Sequence, residues 1–453
     1  MTTTINNKHN KLNFSSEREQ SQACLNSAEH EKNQGRKVLN VPNLRFKEFQ
    51  GEWEKTTIGE IATIKNGPFG SVLHAEDYVD EGMPIVTTEH FKSGNLPLSK
   101  NGIPQVSEDD YCRLKGYMLE TDDIVFSRVG SVDINAHVEH VQQGWLFSGR
   151  VLRVRPIKSV NSLCLHYVLS TESVKRDIRN RAVGQTMPSI NTPILSNTGI
   201  YMSQSEAEQK KIANLLSLID ERIATQNKII EDLKKLKSAI IEKVFCYPNQ
   251  KNPMCRIEGF EQALSTYKMS DFSSRIATKN KDSKCSLVLT IAAQYGLVNQ
   301  ESFFNKSVAS ENLTGYYLLH KGEFAYNRSY SAGYDWGAVK RLDNYDEGVL
   351  STLYICFKIN ETIVDSDYLT YYFESTKWHR GLSDIAGEGA RNHGLLNVSI
   401  TDYFNTKHRF PVIEEQKAIA KMLNTITEKE RKATLLGECY QKQKQYLLRQ
   451  MFI

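Results

Sequence analysis

The chain has 453 residues, 40% of them hydrophobic and 24% charged, and 57 Lys and Arg against 53 Asp and Glu give a net charge of +4. That composition excludes a histone-like polycation and a low-hydrophobicity disordered chain, and leaves room for about three domains. No stretch approaches the roughly 18–20 consecutive apolar residues of a membrane span, and the eight cysteines are scattered without a Cys-x-x-Cys, so a reduced cytoplasmic protein with no membrane partner is expected.

Residues 1–40 are rich in Asn, Ser, Gln and Lys, have few apolar anchors and lack the apolar core of a signal peptide. Such a leader cannot bury enough surface to offset its ordering entropy, and disorder is expected there. Residues 41–204 form a first domain in which short β-branched and aromatic runs (Thr57–Ile64, Pro84–Thr88, Asp123–Ser127, Arg150–Arg155) alternate with Gly, Pro and Asn turns. One helical stretch, Ser162–Arg179, interrupts them.

Residues 205–247 predict a long helix, with Ser205 and Glu208 as a capping box. Apolar residues recur at coiled-coil spacing at Ile212, Leu216, Ile219, Ile223, Ile230, Leu233, Ile240 and Val244, with Gln226 and Lys237 completing the seam. At ~1.5 Å per residue the helix is roughly 60 Å long, too long for one small domain to bury, so its partner should be another long helix. Tyr247-Pro248 ends it.

Residues 248–411 repeat the mixed texture, and residues 412–453 repeat the helix. Glu208–Phe245 and Glu415–Phe452 share 12 of 38 ungapped positions, and both begin Glu-Gln-Lys-x-Ile-Ala. The second seam runs through Ile419, Leu423, Ile426, Glu430, Ala433, Gly437, Tyr440, Lys444, Leu447 and Met451. Weaker matches join the domains: Leu119–Arg128 with Leu319–Arg328, His166-Tyr167 with Tyr371-Tyr372, and Gln185…Ile190-Asn191 with Arg391…Leu396-Asn397. The expected fold is therefore α+β: two mixed α/β heads separated by two long antiparallel coiled-coil helices, with a pseudo-two-fold internal repeat.

Catalytic motifs are missing from the sequence. It has no Asn-Pro-Pro-aromatic tetrad, Gly-x-Ser-x-Gly elbow, His-Glu-x-x-His helix or phosphate loop. Glu415-x-Lys417 reads as a helix-surface ion pair, because its copy is Glu208-x-Lys210. The eleven histidines read singly, as surface or core residues.

Loops that interleave basic, amide and aromatic residues point instead to recognition. In the first head the candidates for contacting DNA are Lys65, Asn66, Arg128, Arg181 and Gln185; in the second they are Asn327, Arg328, Tyr330, Arg391 and Asn392. Arg reads guanine bidentately, Asn and Gln read adenine, and Lys holds phosphate. Surface loops are usually polar for solvation alone, so each residue singly is a weak signal.

Leu44-Arg45-Phe46-Lys47-Glu48-Phe49, followed by Gly51-Glu52-Trp53 and Ile58-Gly59-Glu60-Ile61, resembles the opening of a type I restriction-modification specificity (S) subunit. The two Glu-Gln-Lys-x-Ile-Ala helices resemble the same family, and the likeness covers residues 41–453. It implies a non-catalytic subunit with two target-recognition domains, each reading half of a split double-stranded DNA target. It further implies that the helices fix the distance between half-sites and dock modification subunits, two copies being expected. S-adenosylmethionine would be bound by those methyltransferase partners and not by this chain, and restriction/translocase subunits would complete the complex. The long leader and Tyr201-Met202, where the second copy has Phe410-Pro411, depart from the pattern. A coiled-coil adaptor whose heads bind protein or small ligands is the alternative left open, and a self-contained methyltransferase or nuclease is disfavoured because the sequence lacks their catalytic motifs.

Overall fold

A computed structural model describes residues 39–68, 72–306, 312–329, 333–385, 396 and 398–453. The leader up to residue 38, Tyr330, Arg391 and Asn392 lie outside the described residues. The chain divides into two compact units, one built from the stretch up to Glu221 together with Tyr440–Ile453, the other from Arg222–Cys439.

In the first unit, Glu54–Thr57 pairs antiparallel with Gly199–Met202 and so closes the head where the chain enters and leaves it. A four-stranded antiparallel sheet follows in the order Ala62–Asn66, Val151–Pro156, Ile124–Ser127, Asn135–His137. The expected single strand Thr57–Ile64 is corrected: one helical turn, Ile58–Ile61, splits it and lets the chain step from the closing pair into the sheet. The expected helix Ser162–Arg179 is also two, Ser162–Leu169 and Glu172–Arg181, broken where the Ser170 and Thr171 hydroxyls turn back onto the carbonyls of His166 and Val168.

The second unit repeats this plan. Ser265–Lys268 pairs with Lys407–Phe410, and the sheet order is Ser273–Ile276, Ile355–Ile359, Phe324–Asn327, Ala338–Arg341. Its core is aromatic: Tyr326 stacks on Tyr403 with centroids 4.8 Å apart, and Phe410 meets Tyr372 edge-on at 5.2 Å. Each such pair contributes about 0.5–1.5 kcal/mol beyond its buried area.

The long helices are Glu206–Val244 and Ile413–Gln450. Residues up to Glu221 of the first and from Tyr440 of the second belong to the first unit, and the remainder to the second. Within the second unit the two segments run antiparallel: Gln226 Nε2 donates to the Ala433 carbonyl at 3.0 Å, and Lys237 pairs with Glu430 at 3.1 Å. Within the first unit, Lys444 pairs with Asp220 at 2.6 Å. Gly437 leaves space beside Gln226 and Ile230, so the seam position that reads weakest in the sequence is one where the helices lie close.

The repeated Glu-Gln pair fastens each helix start to its own head. Glu208, fully buried, accepts from Arg45 Nε at 2.6 Å and Nη2 at 2.8 Å. Glu415, 1% exposed, accepts from Arg256 Nε at 3.0 Å and from its Nη2. Gln209 accepts the Asn161 N–H at 2.7 Å and donates to the Ser203 carbonyl at 2.8 Å; Gln416 does the same with the Asp365 N–H at 2.8 Å and the Pro411 carbonyl at 2.9 Å. Asn161 and Asp365 are themselves helix N-caps, so one amide side chain joins two helix starts.

Two expectations are corrected here. Glu415 pairs with a half-buried arginine from outside the helix, Arg256, and not with Lys417 on its surface. The capping box is half made: Ser205 Oγ accepts the Glu208 N–H at 3.3 Å, but the Glu208 carboxylate turns to Arg45 and the Ser203 hydroxyl.

Candidate nucleic-acid interface

In the first head, three loops that read as recognition loops come together. Gly67 N–H donates to the Val151 carbonyl at 3.1 Å, Arg128 N–H to the Arg150 carbonyl at 3.0 Å, Gly130 N–H to Pro188 at 2.8 Å and Ile190 N–H to Arg128 at 2.9 Å. The loops after Lys65-Asn66, after Ser127 and before Ile190 are thus tied to the turn Ser148–Arg150. Gly67 permits the closest approach, since a Cβ there would lie 2.0 Å from the Ser148 carbonyl oxygen.

Two concavities open beside this junction. One, of about 510 Å³, is walled by Pro68, Thr87, Ser148 and Arg150; the other, of about 240 Å³, by Ser127, Val129, Gly130, Arg150 and Met187. Arg150 and Glu89 line both.

The candidate residues differ in how far they are engaged. Lys65 Nζ donates to the Gly116 carbonyl at 2.6 Å and sits 4.9 Å from the Tyr117 ring centroid. Asn66 ends its strand, half-buried. Arg128 is half-buried and donates from Nη1 to the Gly149 carbonyl at 3.0 Å. Arg181 is exposed and pairs with Asp177 at 2.9 Å one helical turn away, and Gln185 is exposed on the loop that follows.

In the second head, Asn327 Oδ1 accepts the Ser329 N–H at 3.0 Å. Arg328 donates to the Leu353 carbonyl from Nε at 3.3 Å and Nη2 at 3.2 Å, and to the Val398 carbonyl from Nη1 at 3.1 Å. Its backbone carbonyl accepts the Leu396 N–H at 3.0 Å, as that of Arg128 accepts Ile190. Arg128 and Arg328 therefore occupy equivalent corners, each guanidinium turned to carbonyls of its own head.

Some residues escaped the sequence reading. Lys279 donates to the Gly315 carbonyl at 2.7 Å and stands 4.0 Å from the Tyr317 centroid, repeating the Lys65 arrangement, and Asn280 links to Cys285 through both its amide atoms. The signal was the recurring Lys-Asn dipeptide at 65–66 and 279–280. Arg150, exposed at the junction of the two concavities, had no signal in its sequence neighbourhood. The equivalence of His166-Tyr167 with Tyr371-Tyr372 is shifted by one: Tyr167 donates to Asp220 at 2.8 Å and Tyr371 to Asn424 at 2.7 Å, so the two tyrosines that reach the long helices correspond.

On the long helices, Ile212, Leu216, Ile219, Ile419, Leu423 and Leu447 are buried, and Ile223, Ile230, Leu233, Ile240, Ile426 and Tyr440 are half-buried. The first helix ends with Phe245 edge-on to Tyr368 at 5.0 Å in the second unit; the second ends with Phe452 against Trp53 at 6.0 Å in the first.

The buried titratable groups are structural. Burial pushes His166 and His408 down to about 3, and each is hydrogen-bonded: His166 Nδ1 to Asn135 Oδ1 at 2.6 Å, His408 to the Tyr372 and Thr406 hydroxyls. Burial pushes the Cys164 and Cys356 thiols up to about 12, well away from a reactive thiolate. Among the described residues no group of three or more His, Cys, Asp and Glu is gathered as a metal site, and no helix is long and apolar enough to cross a membrane.

The first head is a mixed α/β unit closed by paired entry and exit strands, with the start of a long helix clamped to it and three of its loops gathered at one junction. Residues 50–235 match the family model of the type I restriction modification DNA specificity domain. The chain is 29% identical over 225 residues to the MjaX type I restriction enzyme specificity subunit of Methanocaldococcus jannaschii, covering 46% of this chain and 49% of that protein. It is 26% identical over 205 residues to the MjaVIII type I restriction enzyme specificity subunit of the same organism, covering 44% of each. The chain thus spans about half the length of the curated relatives it matches. Among solved structures, the S subunit of a type I restriction-modification system from M. genitalium shares the fold, with a TM-score of 0.56 at 16% identity over 91% of this chain and 99% of that one. Residues 50–235 therefore resemble the DNA specificity domain of type I restriction-modification systems, and the chain is similar to specificity subunits of that class over a little under half of its length.

Proposed function

We propose that the whole chain is the sequence-specific DNA-binding subunit of a type I restriction-modification complex. Each head reads one half of a bipartite duplex target, and the target is asymmetric. The two long helices set the distance between half-sites and dock two modification subunits, which bind S-adenosylmethionine and methylate adenine; restriction/translocase subunits join the same assembly. The chain itself supplies recognition and no catalytic group, and it works in the cytoplasm.

The observation that carries this reading is one scaffold built twice with different loops. Both heads share the strand order, the Arg–Glu clamp and the corner arginine, yet the turn beside that corner is Gly149-Arg150-Val151 in one and Thr352-Leu353-Tyr354 in the other. A repeated frame with exchanged loops suits two similar ligands that differ in detail. Half-sites about one helical turn apart, ~34–36 Å, are within reach of roughly 60 Å helices. The net charge of +4 is modest for a duplex binder, which fits partners that share the phosphate contacts.

The test is a single-molecule methylome of a methylation-free host expressing the chain with and without its modification subunit. A split, asymmetric adenine-methylated motif that needs both proteins is expected. A palindromic motif would overturn the asymmetry, and no motif despite a confirmed complex would overturn DNA reading.

A further inference from the structure

Arg150 is held out on a turn with little freedom to move. Ser148 N–H donates to the Val86 carbonyl at 2.9 Å, and Val151 N–H closes the turn on the Ser148 carbonyl at 2.9 Å. Arg128 grips it from the side, taking the Arg150 carbonyl with its N–H at 3.0 Å and the Gly149 carbonyl with its guanidinium at 3.0 Å. On this frame the Arg150 side chain is exposed, borders both concavities, and among the described residues has neither a carboxylate partner nor a side-chain hydrogen bond. Next to it, the Ser148 hydroxyl is buried and, among the described residues, without a hydrogen-bond partner. Most other arginines of the first head are engaged: Arg45, Arg113, Arg155, Arg179 and Arg181 each meet a carboxylate.

Strand register identifies the counterpart of this position in the second head. Phe126 faces Leu152, and Tyr326, the equivalent of Phe126, faces Ile355. Leu152 therefore corresponds to Ile355, and Arg150 to Leu353. The turn is the same, with Tyr354 N–H donating to the Ser351 carbonyl at 3.1 Å, and the corner arginine again grips it, Arg328 donating to the Leu353 carbonyl. Leu353 is 58% exposed, an apolar side chain held out on a fixed turn where the first head holds out a guanidinium.

We propose that positions 150 and 353 determine specificity in their respective heads, Arg150 by reading guanine and Leu353 by packing on the methyl of thymine. This rests on the DNA-reading function proposed above. The two groups are chemically matched to those bases: a guanidinium fork spans guanine O6 and N7 in the major groove, and the thymine C5 methyl is the apolar feature there. A turn fixed by its own backbone sets where either side chain starts, so only the side chain itself has to be ordered when it meets a base. The identity of one base pair per half-site then follows from one exchangeable residue on a shared frame.

The experiment is selection of bound duplexes from a random-sequence library by the full chain in complex with its modification subunit, comparing wild type with Arg150→Leu, Arg150→Lys and Leu353→Arg. Arg150→Leu is expected to lose a guanine from one half-site, with discrimination there falling roughly 5- to 150-fold, while the other half-site stays as it was. Leu353→Arg is expected to replace a thymine by guanine in the other half-site only. Arg150→Lys keeps the charge but not the fork, so the guanine preference should weaken while the salt dependence is retained. An unchanged selected sequence for Arg150→Leu, bound uniformly more weakly and with the log–log salt slope reduced by about one, would show a phosphate contact and overturn the assignment. Failure of the wild-type complex to enrich any duplex would overturn the DNA-reading function itself, and this assignment with it.

Discussion

Glu208 accepts two hydrogen bonds from Arg45, a residue 163 positions earlier in the chain, and does so with its carboxylate wholly shielded from water. Glu415 and Arg256 repeat the arrangement in the second unit, separated by 159 positions. The pair closes each head around the start of its helix, so the direction in which a helix leaves a head is set by a charge pair that neither element could satisfy alone.

Replacing Glu208 by Ala removes two charge-assisted hydrogen bonds and leaves the half-buried Arg45 guanidinium with only the Gln50 and Gly51 carbonyls. Loss of such a partner costs about 1–3 kcal/mol. Denaturant unfolding followed by circular dichroism should show the loss for Glu208→Ala and again for Glu415→Ala. A change below about 1 kcal/mol in either would count against the clamp.

The corner arginines give a different expectation. Since the Arg328 guanidinium donates to the Leu353 and Val398 carbonyls, Arg328→Ala should lower stability by about 1–3 kcal/mol while leaving the ranking of selected DNA sequences unchanged. A specific loss of one base preference at full stability would instead make Arg328 a base reader.

Gly67→Ala should perturb the first head alone. The new Cβ would meet the Ser148 carbonyl, and backbone on backbone has no flexible end to yield, so a cost of about 1–3 kcal/mol is expected together with a displaced Arg150 turn. Thermal unfolding and duplex selection read the two effects; an unperturbed variant would show that the loops can part at no cost.

Acid should destabilise the protein through its buried histidines. His166 and His408 are held neutral, their folded values lowered from 6.5 to about 3. Their contribution is complete above pH 6.5 and is lost as pH falls from 6.5 towards 3, because the unfolded chain takes up protons that the folded one refuses. Each should steepen the fall by about 1.4 kcal/mol per pH unit in that window. Unfolding free energies measured between pH 7 and 4 should show a shallower slope for His408→Gln than for the wild type; equal slopes would mean that His408 titrates normally when folded.

Lengthening the first long helix within its register should change the spacer of the target and leave both half-sites as they were. A methylome of the insertion variant with an unchanged spacer would remove the ruler role.

Sequence alone determined what depends on periodicity and recurrence. The two long helices were legible because apolar residues at 3.5-residue spacing must share one face, and the duplicated heads because a repeat of Glu-Gln-Lys-x-Ile-Ala survives ungapped. Strand runs were legible, though not the helical turn at Ile58–Ile61, where a β-branched stretch is overridden by the need to change sheets. Tertiary structure alone decided the roles of charged and polar residues. Arg45 and Glu208 meet across 163 positions, Lys65 is spent on a carbonyl and a tyrosine ring, and Arg150 is exposed on a turn whose backbone Arg128 holds. A residue type carries its apolar surface wherever it goes, so burial leaves a pattern in the sequence. The partner of a charge is chosen by distances that exist only once the chain has folded.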